Sequence, residues 1–388
     1  MSIPAHGFPH TEFEARTYRA QKLMAEASVD ALLLTTEPEV RYFSGFHTLF
    51  WQSPTRPWFI YVPREGKPVA VIPEIGAELM RTTWIDDIRT WGAPNPDDDG
   101  ISELKALIES DLGSGGNIGI PMGHETHVRM PLSDFNSLKM ILDKFNFVDA
   151  TDIVRNLRMA KSELEIEKIS HICQVTSKTF AQADSLFFVG QPLQESFREF
   201  RRANLANGAD DVPYLVGGAG VGGYRDVISP PTNQPLVDGD IIMLDTGSVF
   251  DGYYCDFDRN FAIGSADDSA KYANDILWRA TEAGQQAMVP GATCKSVYFA
   301  MRKVIEELDS SSNDVGRMGH GLGMQLTEWP SLAPFDETIL QDGMVMTLEP
   351  SLSYGDGKLM VHEENLVIRD GQAHYLSQRA SRELPIIG

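Results

Sequence analysis

Cysteine is scarce in this chain: Cys173, Cys255 and Cys294 are the only three in 388 residues, widely spaced and without a C-x-x-C pair. An odd number at such spacing argues against a disulfide framework or a thiolate zinc site, and leaves the thiols reduced and structural. Positive charge is also short. Thirty-three Lys and Arg stand against 55 Asp and Glu, for a formal charge of -22 and a pI near 4.7. Nucleic acid and anionic membrane surfaces need a basic footprint, so neither is expected as a partner. A cationic or zwitterionic small molecule suits the balance better. Long apolar runs are missing too: nothing approaches the roughly 18 residues of a membrane span, and the opening "MSIPAHGFPHTEFEARTYRAQKL" has no basic stretch followed by an apolar one. The cytoplasm is the expected location.

What is present is an ordinary globular composition, 42% hydrophobic and 9% aromatic, in a chain long enough for two domains. The first half alternates. "FEARTYRAQKLMAEASV" has a helical period, "DALLLTT", "PWFIYVP" and "KPVAVIPEI" read as strands, and the helix "GISELKALIESDLGSGG" precedes the strand "NIGIP". Interleaving at this spacing predicts an α/β domain over 1–157. Asp149 or Thr151 can cap a helix, and Ser162 with Glu165 forms a capping box opening a longer one. From residue 158 to 388 the pattern is α+β: long helices at 162–187, 193–207 and 267–288 against strand pairs at 240–262, 343–351 and 361–368, packed on one side of a curved antiparallel sheet.

The stretch "DTGSVFDGYYCDFDRNF" places three aspartates inside apolar strands. Asp251-Gly252 supplies the positive φ that a two-residue hairpin turn needs. A turn centred there pairs Phe250 with Tyr253 and sets Gly247 opposite Asp256 and Asp245 opposite Asp258, so the three carboxylates share one face. Like charges opposed across a sheet repel, and a buried lone carboxylate costs several kcal/mol, so something positive is expected between them. Downstream, "MGHGLGM" carries His320, "MTLEPSL" carries Glu349 and "MVHEENLVI" carries Glu363 and Glu364. Two Asp, one His and two Glu converging on one cavity would suit two divalent ions such as Mn, Co, Fe or Zn, with carboxylates bridging them and a bridging water activated.

The pattern D-x-G-x5-G-Y-x2-D-x2-R, then G-H-G-x-G, L-E-P and H-E-E-N-L-V-I, resembles the methionine aminopeptidase, prolidase and creatinase superfamily with its pita-bread catalytic domain. The similarity runs from about Lys161 to the end, and the α/β first half is similar to the creatinase and Xaa-Pro dipeptidase branch. The resemblance implies a creatinase/prolidase-like N-terminal domain followed by a pita-bread metallohydrolase domain, and a homodimer. It implies two metal ions, manganese among the candidates, held by Asp245, Asp256, His320, Glu349 and Glu363, with Asp256 and Glu363 bridging. Asp258 stands where that family usually has threonine, which leaves support, an extra ligand or contact to a cationic substrate as its role.

Two positions depart from the family. Ile228 lies seventeen residues before Asp245, and Thr327 seven after His320, where family peptidases carry histidines that shuttle protons and hold the substrate. Isoleucine cannot do this and threonine does it poorly at neutral pH. Proton transfer is then expected to run through Glu349 or Glu363, or through water held by Thr327. His362 neighbours Glu363 but should face the other way along its strand.

Other features have two readings. "GAGVGG", Gly218–Gly223, is followed by "YRDVISPP", which cannot open a helix, so a substrate-side loop is expected instead of a dinucleotide site. "HETH" at 124–127, "NPDDDG" at 95–100 and "DSSSND" at 309–314 read as surface turns. "FHTLFWQSPTRPWF" is either a core strand with a proline-bounded loop, or places Phe50, Trp51 and Arg56 toward a catalytic cavity, where aromatics and arginine would hold a small zwitterion. Tyr224, Arg225, Glu328 and Trp329 are the remaining substrate-contact candidates.

The reading is a dinuclear metal-dependent hydrolase cleaving an amide or other C-N bond in an Xaa-Pro dipeptide or small zwitterion by attack of a metal-bound hydroxide. A β-eliminating lyase acting on an osmolyte such as dimethylsulfoniopropionate, and a non-enzymatic binding module, are the alternatives.

Overall fold

The computed structural model describes residues 3–53, 56–307 and 316–388. "DSSSND" therefore lies outside the described residues. The chain divides into two compact units, 5–158 and 1–4 with 159–388.

The first unit is built on a six-stranded sheet. Its strands are β1 (Ala31–Leu34), β2 (Phe59–Pro63), β3 (Val69–Pro73), β4 (Ile88–Trp91), β5 (Gly116–Ile120) and β6 (Phe145–Asp149), in the order β4-β3-β2-β1-β5-β6. β2 runs antiparallel to β1 and β3, and the remaining pairs are parallel. β1 and β2 are buried along their whole length, so they read as unbroken apolar runs without alternation. The helices His10–Glu26, Ile101–Leu112 and Leu132–Ile141 flank this sheet in sequence. The aromatic run is a strand only from Phe59: Leu49–Gln52 is a short 3-10 helix capped by the Thr48 hydroxyl, and the described residues 56–58 are loop. Two prolines and turn residues break the alternation that a strand would need.

The second unit contains two larger sheets among the described residues. One has the order β18-β10-β8-β7, with β9 also on β8. These strands are β7 (Asp211–Val221), β8 (Asp240–Phe250), β9 (Tyr253–Tyr254), β10 (Phe257–Ile263) and β18 (Ile386–Ile387). The other, β12-β11-β13-β16-β17, comprises β11 (His320–Gly321), β12 (Glu328–Ser331), β13 (Val345–Leu348), β16 (Glu364–Arg369) and β17 (Gln372–Tyr375). β14 (Ser351–Tyr354) and β15 (Lys358–Val361) make a separate pair. All contacts in the second sheet are antiparallel.

The helices Leu193–Asn207 and Asp268–Ala287 form where the period places them, the latter capped by Asp267; the helix expected over 162–187 opens at the Ser162/Glu165 capping box but ends at Phe180, and Ala183–Leu186 is a separate short helix. The helix Cys294–Ile305, capped by Thr293, was not anticipated. Its apolar face and that of Asp268–Ala287 meet in a methionine-rich core with Met243, Met301, Met344, Met346 and Met360.

"GAGVGG" is corrected. Gly218–Val221 is the end of β7, paired with β8 through Val221 opposite Asp240, and only Gly222 and Gly223 turn the chain. Pairing with β8 along nearly its whole length overrides the weak strand preference of glycine in this edge strand. The aspartate hairpin forms in the expected register: Phe250 faces Tyr253 and Asp245 faces Asp258, around Asp251 at φ 45° and Gly252 at φ 69°.

Candidate metal centre

One polar group of the site lies inside a strand and the other four at or beside strand ends. Asp245 lies within β8, and Asp256 is the residue before β10. His320 opens β11, Glu349 follows β13 and Glu363 precedes β16. The glycines around His320 have a steric purpose. A Cβ at Gly319, where φ is +136°, would sit 2.3 Å from the Thr347 carbonyl, and one at Gly321 would sit 2.5 Å from the Trp329 carbonyl. Both neighbours are backbone and cannot yield, so G-H-G is the local price of bringing the imidazole between two strands.

Asp256, His320 and Glu363 are buried, and one ligand atom from each lies within 4.8 Å of the others. Glu349 joins them from the more open side, its side chain 33% exposed and its Oε2 3.9 Å from His320 Nε2, while Asp256 Oδ2 is 3.5 Å from the same nitrogen. Asp245 is half-buried, and its charge acts on Asp256, Glu349 and Glu363. The five residues are thus brought into one locality.

The orientation of His320 is informative. Its Nδ1 is 2.9 Å from the Gly321 carbonyl oxygen, which can only accept, so Nδ1 carries the proton and Nε2 presents a lone pair toward the carboxylates. Burial drives the His320 pKa down to about 4, against the Gly321 bond that raises it. A neutral ring therefore points an acceptor at acceptors. The carboxylates are strained in the same sense. Burial pushes Asp245 up to about 7, opposed by hydrogen bonding from Tyr214 and Glu363. Burial and then the Asp245 charge push Glu349 up to about 8, with Arg317 opposing. Asp256 and Glu363 rise well above the carboxylate range, again through burial first and neighbouring carboxylates second. Asp245 Oδ1 and Glu363 Oε1 are buried without a hydrogen-bond partner. Orphaned oxygens around an imidazole lone pair fit divalent cations, which would supply the missing positive charge.

The remaining candidates are placed as follows. Asp258 is buried beside the cluster, with Oδ1 accepting the Glu363 N–H at 3.1 Å and Oδ2 unpartnered. Thr327 is half-buried in the bend before β12. Tyr224, expected at the substrate, is instead fully committed to the core: its hydroxyl donates to Asn260 Oδ1 at 3.0 Å and accepts the Val361 N–H at 2.8 Å. Glu328 is held by Lys161 Nζ at 3.2 Å in a buried ion pair. Trp329 packs half-buried against the methionine-rich core, Arg225 is exposed, and Ile228 is 74% exposed. His362 faces away from the cluster, with Nε2 2.9 Å from Asn274 Oδ1. In the first unit, Trp51 packs on Trp58 at 5.8 Å and Arg56 stacks over Phe50 at 5.1 Å. Arg129 lies 5.0 Å from the Trp51 ring and donates to the carbonyls of Trp51, Ser53 and Arg56. Sequence reasoning missed Tyr214, Arg317, Arg129 and Asn365, because each acts through contacts that no local spacing announces.

A double-sheet unit carrying buried carboxylates and an imidazole at its strand ends defines a metal-dependent enzyme of the pita-bread class. The profile of Metallopeptidase family M24 matches residues 167–370, just over half of the chain, and that of the Creatinase/Prolidase N-terminal domain matches 16–160. An Xaa-Pro dipeptidase of Pyrococcus horikoshii is 25% identical over 90% of this chain and 93% of its own length. A probable dipeptidase PepE of Mycobacterium bovis is 26% identical over 92% and 93%. Recombinant prolidase from Thermococcus sibiricus shares the fold, with a TM-score of 0.85 at 23% identity over 97% of this chain and 99% of that one. The chain belongs to metallopeptidase family M24 and is a metal-dependent hydrolase.

Proposed function

We propose that this hydrolase holds two divalent metal ions through Asp245, Asp256, His320, Glu349 and Glu363 and cleaves an amide or related C-N bond in a small substrate of the Xaa-Pro dipeptide kind. The observation that carries the reading is the His320 lone pair facing Asp256 and Glu349 across 3.5 and 3.9 Å, with Glu363 and its unpartnered Oε1 in the same cluster. Bound divalent ions would acidify a water and polarise a scissile carbonyl.

The chain's own groups have distinct tasks. Gly321 O holds His320 in one tautomer, so the ring cannot turn to present a proton. The Tyr214 hydroxyl neighbours Asp245 and orients it. Glu349 is the general acid and base: its side chain is 33% exposed against 6% for Asp256, so substrate and water can reach it, and burial with the Asp245 charge raises its proton affinity. It takes a proton from the attacking water at Oε2 and returns it to the leaving nitrogen. Thr327 orients water at the cavity mouth, and Trp329 and Arg225 are substrate contacts. The three free, buried cysteines suit the cytoplasm.

The test is metal content and turnover together. Purified protein supplied with Mn2+ should retain about two equivalents per chain and release free proline from Xaa-Pro dipeptides. A folded preparation that binds no metal under those conditions removes the proposal; metal binding with an unsaturated elimination product instead of amide cleavage would move it to a lyase.

A further inference from the structure

We propose that Asp258 and Asn365 form a reciprocal brace that positions Asp256 and Glu363. Each sits two residues beyond one of these carboxylates and holds the backbone of the other. Asp258 Oδ1 accepts the Glu363 N–H at 3.1 Å. Asn365 Oδ1 accepts the Asp256 N–H at 2.9 Å, and Asn365 Nδ2 donates to the Asp256 carbonyl. The inference rests on Asp256 and Glu363 being metal ligands.

The need for a brace follows from the strand limits. Asp256 is the last residue before β10 and Glu363 the last before β16, so both lie just outside their ladders: β10 pairing begins at Phe257 opposite Thr246, and β16 pairing at Glu364 opposite Leu348. Two buried peptide groups would then be left without a partner. A primary amide carries one acceptor and two donors, so it can serve an N–H and a C=O of one residue as a neighbouring strand would. Asn365 does this, itself fixed by its N–H to Ser377 Oγ at 3.1 Å and by its carbonyl to Leu376 N at 2.8 Å. Cys173 also donates to its Oδ1 at 3.3 Å. Asp258 serves only the N–H of Glu363, whose carbonyl accepts from Arg259 Nη1 instead. Arg259 ties the two halves together, with Nη1 donating to the carbonyls of Asp258 at 2.5 Å and Glu363 at 2.9 Å, and Nη2 to Glu364 Oε2 at 2.9 Å. Asp258 and Asn365 are 2% and 0% exposed, so water does not substitute for either.

A brace at 258 needs an acceptor and no charge. An extra metal ligand, or a contact to a cationic substrate, needs the charge. Asp258→Asn separates the roles. In metal-free protein, hydrogen–deuterium exchange at the Glu363 amide should accelerate in Asp258→Ala and stay near wild type in Asp258→Asn, and exchange at the Asp256 amide should accelerate in Asn365→Ala. Titration with Mn2+ alone should show affinity about 10–100-fold weaker for the two alanine variants and within about threefold of wild type for Asp258→Asn. If Asp258→Ala does not fold, Asp258→Ser, too short to reach the amide, takes its place with the same expectation. Asp258→Asn as weak as the truncations, or truncations that leave Mn2+ affinity unchanged, would overturn the brace. Failure of the wild type to bind Mn2+ would overturn the proposed function, and the exchange pattern would then decide the brace by itself.

Discussion

His320 is anchored by one hydrogen bond and one lone pair, and replacing it should be felt through both. His320→Ala is expected to lose metal at one of the two positions and to lower kcat/KM by at least about a hundredfold, with metal analysis and turnover as the measurements. Glu349→Gln keeps the shape and one acceptor but cannot carry a proton, so kcat should fall by about 10²–10⁴ while KM changes little. An equal loss in binding and turnover would make Glu349 a ligand only. Thr327→His returns an imidazole to the cavity mouth and should raise the rate on Xaa-Pro dipeptides; complete indifference would mean that a missing imidazole does not limit the enzyme. At this scale the gathering of carboxylates and one imidazole was legible in the sequence, because carboxylates inside apolar strands have few innocent explanations. Tyr224 was not read correctly. An aromatic beside glycines looks the same whether its hydroxyl meets a substrate or, as here, Asn260 and the Val361 amide.

The hairpin β8–β10 is the element that carries two of the proposed ligands, Asp245 and Asp256, and its turn is secured from below. Asp251 is buried at positive φ, and its carboxylate accepts from Lys168 Nζ at 2.6 Å on the helix Glu163–Phe180, while the Tyr253 hydroxyl donates to Glu165 on the same helix. Removing one partner of a buried pair strands the other charge. Asp251→Ala should therefore cost about 3–5 kcal/mol in denaturant unfolding, and Lys168→Met with Asp251→Leu together should cost clearly less than the two single changes added. Simple additivity would show the pair to be independent. This hairpin was fully legible, since Asp-Gly fixes the turn and a two-residue turn fixes the register. β7 was not: its glycines weaken every local strand signal, and only pairing with β8 makes it a strand.

Across the whole molecule, the cluster ties stability to pH and to metal. Asp245 and Glu349 hold protons up to about 7 and about 8 in the folded, metal-free protein, whereas unfolded carboxylates release theirs near 4. The folded state then binds more protons, so the stabilisation these groups give at low pH is lost as pH rises through their folded values. His320 and His362, depressed to about 4 and about 3, act in the opposite direction, but only below their unfolded value of about 6.5. Between pH 6.5 and 8.5 the melting temperature of metal-free protein should fall, and saturating Mn2+ should raise it and flatten the slope. A melting temperature that is constant over that range without metal would mean that the carboxylates are already compensated.

The sequence alone determined the fold class, two of the long helices and the hairpin register, because periodicity, capping and turn residues act over a few positions and leave their mark there. Tertiary structure alone decided which atoms meet. The burial and the Asp245 charge that shift Glu349, the commitment of Tyr224 and the reach of Asn365 to the Asp256 backbone all join residues tens to more than a hundred positions apart. Dielectric environment and hydrogen-bond partnership are properties of the packed chain, and nothing in local spacing encodes them.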